Sequence, residues 1–96
     1  MKINFITNDE NLYISLDGRL DTITAPEFEE FLKLNLNGVK NVKLDCEKLS
    51  YISSAGLRVL LSLNKKMKSS LKLVNVQEVV MEVFEVTGFV DILEIE

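Results

Sequence analysis

The chain has 96 residues, 47% of them apolar, and a formal net charge of −4. That suffices for one hydrophobic core and so for a single domain spanning 1–96. It is too apolar for disorder, lacks the basic stripe of a nucleic-acid binder, and has no apolar run near the ~20 residues that cross a membrane.

Ile3 and Phe5 alternate with Lys2 and Asn4 as a first strand, and Asn8-Asp9-Glu10-Asn11 is a turn cluster. Leu12, Ile14 and Leu16 alternate with Tyr13, Ser15 and Asp17, which predicts a strand with one polar face. Asp17-Gly18 is expected to break it, with Arg19-Leu20-Asp21-Thr22 as the loop into a helix. Thr24-Ala25-Pro26-Glu27 reads as a capping box with proline in the first turn. Phe28, Phe31, Leu32, Leu34 and Leu36 are expected along one side of that helix, which ends at Asn37-Gly38.

A third strand is predicted over 39–46, followed by a helix from about Ser54 to Ser69 with Lys65, Lys66 and Lys68 near its negative end. Leu71 to Asn75 reads as a fourth strand. Val79, Val80, Val83 and Phe84 form a helical stripe closed by Gly88, and Ile92 to Ile95 reads as a short last strand. Strands and helices alternate from Val39 onward, so the sheet is expected to be parallel there. The pattern alone gives α/β or α+β. Every Lys and Arg lies at or before Lys72, leaving an acidic final quarter.

Several chemistries are excluded or disfavoured. There is no histidine, which removes Ser-His-Asp and Cys-His mechanisms. Cys46 is alone and alternates with Leu44, so it reads as a small buried hydrophobe, and neither an intramolecular disulfide nor a Cys-rich metal site is possible. Glycines stand singly, with no phosphate-cradling run. No catalytic residue, metal or cofactor is expected.

The informative stretch is Tyr51-Ile52-Ser53-Ser54-Ala55-Gly56-Leu57-Arg58. It places two serines where a strand hands over to a helix, and a serine there can cap the helix by accepting a backbone N–H. Such an N-terminus also tolerates an anion, so a phosphate on Ser54 is compatible with the fold. Gly56 costs a helix roughly 1 kcal/mol relative to alanine. Something is therefore expected to approach its backbone closely, whether a partner, a ligand or a neighbouring strand. Arg58 lies four residues after Ser54, on the same helix face, where it can pair with a phosphate or simply be solvated.

The run Leu49 to Leu57 resembles the phosphorylation segment of STAS domains, the family of bacterial anti-sigma factor antagonists. Leu16 to Ala25 resembles an earlier loop of that family, and Phe84 to Phe89 its later helix exit. The three blocks occur in the family's order. The resemblance implies an α/β fold: a small mixed sheet of four to five strands covered by about three helices. It also implies a non-enzymatic cytoplasmic module that binds a serine-kinase anti-sigma factor of the ATP-binding type, is released by phosphorylation at Ser54, and is restored by a phosphatase. Ser53 stands where many relatives have aspartate, which makes it a competing acceptor. Asp21, Thr22, Ser53, Ser54, Gly56 and Arg58 are the expected partner-binding residues, Asp21 being equally readable as a turn or cap residue. Two alternatives stay open. One is a non-switching accessory subunit of a transporter or signalling assembly; the other, weakened by the missing histidine, is a small hydrolase using Ser54.

Overall fold

A computed structural model describes residues 1–96. The elements follow the order β1 (Lys2–Asn8), β2 (Asn11–Leu20), α1 (Ala25–Asn35), β3 (Asn41–Ile52), α2 (Ser54–Met67), β4 (Leu71–Val74), α3 (Glu78–Thr87), a 3-10 turn (Phe89–Asp91) and β5 (Glu94–Ile95). The five strands form one sheet in sequence order. β1 is antiparallel to β2, and β2 through β5 are parallel. The expected mixed sheet with three helices is therefore present.

Period-two alternation decides which face is covered. Leu12, Ile14 and Leu16 of β2, Val42, Leu44 and Cys46 of β3, and Leu71 and Leu73 of β4 are buried. They join Phe28 of α1, Leu60 and Leu63 of α2, and Val80 and Phe84 of α3 in one cluster. The intervening Tyr13, Lys43 and Lys72 stay exposed, so all three helices pack on one face and leave the other open. Cys46 sits within this core, and burial, helped by the Asp45 charge, pushes its thiol up to about 12. It is inert packing material, as its alternation predicts.

Several boundaries differ from expectation. Gly18 does not end β2. At φ +117° it takes a conformation that a side chain would resist, and the strand continues to Leu20. β3 likewise runs six residues beyond Cys46. Its pairing with β2 advances from Ser15↔Asp45 to Asp17↔Lys48, then from Gly18↔Leu49 to Arg19↔Tyr51, so β3 carries an extra residue at two places. Those insertions break the alternation and make the segment read as a loop. Leu34 is 72% exposed, because it lies well around the helix from the buried Phe28 and Leu32. The last strand shrinks to two residues behind the 3-10 turn.

Candidate functional site

Parallel pairing brings the C-terminal ends of β2 and β3 side by side, Arg19 against Tyr51 and Leu20 against Ile52. Both chains then turn: β2 into the loop 21–24 before α1, β3 into the first turn of α2. The Ser53 N–H donates to the Leu20 carbonyl at 2.9 Å and ties the two turns together. In parallel sheets this edge, beyond the carboxyl ends of the strands, is where ligands and partners are customarily met.

The loop is built on Asp21. Its carboxylate accepts from Ile23 N–H at 3.0 Å, Thr24 N–H at 3.1 Å and the Thr24 hydroxyl at 3.2 Å. Its carbonyl accepts from Ala25 N–H at 2.8 Å. The expected capping box is absent: Thr24 has no side-chain cap contact with α1, and its hydroxyl instead lies 2.7 Å from the Arg19 carbonyl and 2.9 Å from Asp21 N–H. Asp21 therefore has the turn role, and Thr22 beside it is exposed.

The hydrogen bond from Thr24 N–H, above all, holds the Asp21 carboxyl below its ordinary 3.8, with Ile23 N–H and nearby Arg19 acting the same way against partial desolvation. A carboxyl whose folded value is lowered stabilises the fold fully above the unfolded value and loses that contribution as pH falls through the folded one. Urea midpoints of wild type and Asp21→Asn should therefore run parallel at neutral pH. Below 3.8 the wild type should lose stability relative to the variant. Curves parallel throughout would take the carboxylate out of the turn.

The two serines have different jobs. Ser53 is the N-cap of α2: its backbone is extended, and its hydroxyl accepts from Gly56 N–H at 3.4 Å. Ser54 is the first helical residue, exposed, with its hydroxyl bonded to nothing in the protein. The cap role open to either serine thus belongs to half-buried Ser53, because Ser54 is already the first residue of α2. Ser53→Ala should cost about 0.5–1 kcal/mol, the low end for a cap given the long contact, whereas Ser54→Ala should be close to neutral. Equal losses in chemical denaturation would contradict this division.

Gly56 requires a correction. It is buried, and a Cβ there would lie 2.8 Å from Leu20 Cγ, 2.9 Å from Ile52 Cγ1 and 2.9 Å from the Leu20 carbonyl oxygen. The close approach inferred from the sequence is made by the chain's own β2 and β3, so Gly56 is not a partner-facing residue. It lets α2 settle onto the strand ends and so sets where Ser54 stands relative to the Asp21 loop.

Arg58 is exposed one helical turn beyond Ser54 and forms no ion pair. With no acidic residue in the first turn of α2, the positive end of the helix is uncompensated. Three further residues complete the edge. The Arg19 guanidinium stacks 4.0 Å over the Tyr51 ring and approaches Asp21 at 3.7 Å. Ile23, 85% exposed, projects from the tip of the turn. Pairing of Arg19 with Tyr51 depends on a shifted parallel register that no local pattern encodes. Ile23 did carry a signal, an isoleucine inside a polar turn with no periodic apolar partner. No group of histidine, cysteine or acidic side chains is placed to hold a metal, and no helix is long and apolar enough to cross a membrane.

Comparison with known proteins gives a consistent result. The family model for the STAS domain matches residues 2–96. The Bordetella bronchiseptica protein BtrV, designated an anti-sigma factor antagonist, is 35% identical over 99% of this chain and 85% of its own length. Among solved structures, an anti-sigma factor antagonist assignment from Thermotoga maritima superposes with a TM-score of 0.88 at 21% identity, covering 97% of this chain and 84% of that one. The Bacillus cell fate determinant SpoIIAA, solved in its phosphorylated form, gives 0.74 at 18% identity, covering 99% of this chain and 91% of that one. At such identities the structural matches establish the fold.

Proposed function

The chain belongs to the STAS domain family, and from that premise we propose that it is an anti-sigma factor antagonist, switched by phosphorylation at Ser54. The observation that carries the reading is the free, exposed hydroxyl of Ser54 at the uncompensated N-terminus of α2, beside a rigid turn that presents Thr22 and Ile23. The relative designated as an anti-sigma factor antagonist supports the class of partner, and a fold neighbour solved in a phosphorylated form supports the device.

The physical chemistry is direct. In the unmodified state the edge offers a neutral hydroxyl, an apolar tip and a compensated Arg19–Asp21 pair, a surface that a partner can cover at small electrostatic cost. Phosphorylation adds about −1.5 to −2 charges at pH 7. The fold tolerates them, because the N-terminus of α2 offers free N–H groups and the unpaired Arg58 lies one turn further along the helix. A partner closing over the site would have to desolvate a dianion, at several kcal/mol unless it supplied a countercharge. The partner is then a serine kinase of the ATP-binding type that itself acts as the anti-sigma factor, and a phosphatase resets the cycle.

Ser53 does not replace Ser54 in this scheme. A serine keeps the capping contact that an aspartate would make, and that contact together with partial burial leaves its hydroxyl the less available of the two. Calorimetric titration against a purified kinase-type anti-sigma factor tests the proposal. Tight binding before treatment with the kinase and ATP, and loss after it, is the expected result. Equal binding in both states would favour the non-switching accessory role.

A further inference from the structure

The two edges of the sheet are unlike. The β5 edge is two residues long, and its Glu94 and the adjoining Glu96 are both drawn to Lys72, at 3.6 and 3.4 Å. The β1 edge is seven residues long, its register with β2 runs without a shift, and it holds no proline. Its one charged residue is Lys2 at the end, while Phe5 is 48% and Ile6 68% exposed. Proteins that keep such edges unpaired usually blunt them with a proline, a bulge or inward charge. None of these devices is present.

The hairpin fixes which backbone groups are free. A two-residue turn at Asp9–Glu10 makes Asn8 and Asn11 a hydrogen-bonded pair, and alternation makes Ile6–Tyr13, Asn4–Ser15 and Lys2–Asp17 bonded pairs as well. The N–H and C=O groups of Ile3, Phe5 and Thr7 therefore point outward.

We propose that this edge pairs with the same edge of a second copy, β1 against β1 in antiparallel two-fold register centred on Phe5. That register sets Ile3 opposite the partner's Thr7 and Phe5 opposite the partner's Phe5, so every outward group meets a complement. Lys2 comes opposite the partner's Asn8 and next to the partner's Asp9. No like charges oppose each other, and Glu10 is already held by Lys40 at 3.3 Å. The exposed side of the Phe5 ring, whose inner side contacts Phe31 edge-on at 4.9 Å, gains an aromatic neighbour. A two-fold interface of this kind is self-complementary and closes at the dimer. The proposal is independent of the Ser54 switch.

Sedimentation equilibrium of the intact chain should show a monomer–dimer equilibrium. Amide exchange should slow with protein concentration at Ile3, Phe5 and Thr7, but not at Lys2, Asn4 and Ile6, which are bonded already. Thr7→Pro removes an outward N–H without touching the hairpin, and should weaken the dimer roughly 10- to 30-fold through the two bonds lost per pair. Asn8→Lys, which faces the partner's Lys2, should weaken it too, and decides the matter if the proline variant unfolds. A chain that stays monomeric at the highest concentration, or a dimer indifferent to Asn8→Lys and to a folded Thr7→Pro, would overturn the proposal.

Discussion

Gly56→Ala is expected to destabilise the protein by about 2 kcal/mol, the range for forcing an extra methyl into a packed site. In a chain of this size that lowers the melting temperature by roughly 10 °C or more. Helix propensity alone predicts the opposite sign, since alanine outranks glycine by about 1 kcal/mol. Contact geometry decides between them: the new methyl would sit 2.9 Å from a backbone oxygen at Leu20, which cannot rotate away, as well as 2.8 Å from Leu20 Cγ. Relief would come only from lifting the start of α2, which also displaces Ser54. Thermal unfolding followed by circular dichroism checks this, and an unchanged or raised melting temperature would show that α2 is not seated on β2 as described.

For Ser54→Asp, stability and binding should move in opposite directions. A carboxylate at the first helical position interacts favourably with the helix N-terminus, so the fold should gain about 0.3–1 kcal/mol. The same charge, buried against the partner without a countercharge, should cost about 3 kcal/mol or more of affinity, over a hundredfold. Ser54→Ala should bind the kinase-type partner like the unmodified protein and stay bound when ATP is added. A parallel loss of stability and affinity in Ser54→Asp would mean that the substitution acts by unfolding.

Much of the architecture was legible because its cues are local. Leu12, Ile14 and Leu16 alternate cleanly, Cys46 alternates with Leu44 on the same buried face, and Gly88 closes α3 at φ +81°. What escaped depends on pairing between distant segments. The two extra residues in β3 disguise residues 47–52 as loop, and Gly18 looks like a strand end until the register with β3 is known. The site shows the same division. Ser54 and Asp21 can be found from the residues around them, whereas Arg19 over Tyr51 exists only because β2 and β3 are shifted neighbours. Gly56 taught the sharper lesson. Its sequence signal, a glycine where helix formation disfavours one, correctly indicated a close approach. Only the fold shows that Leu20 and Ile52 make it.

The proposed switch needs a single acceptor, and the division of labour between a capping Ser53 and a free Ser54 specifies which one. Site-resolved mass spectrometry of the intact chain after incubation with a cognate kinase-type anti-sigma factor and ATP tests this most directly. One phosphate on Ser54, absent in Ser54→Ala and unaffected by Ser53→Ala, is the predicted result. A phosphate on Ser53, or on neither serine, would contradict it.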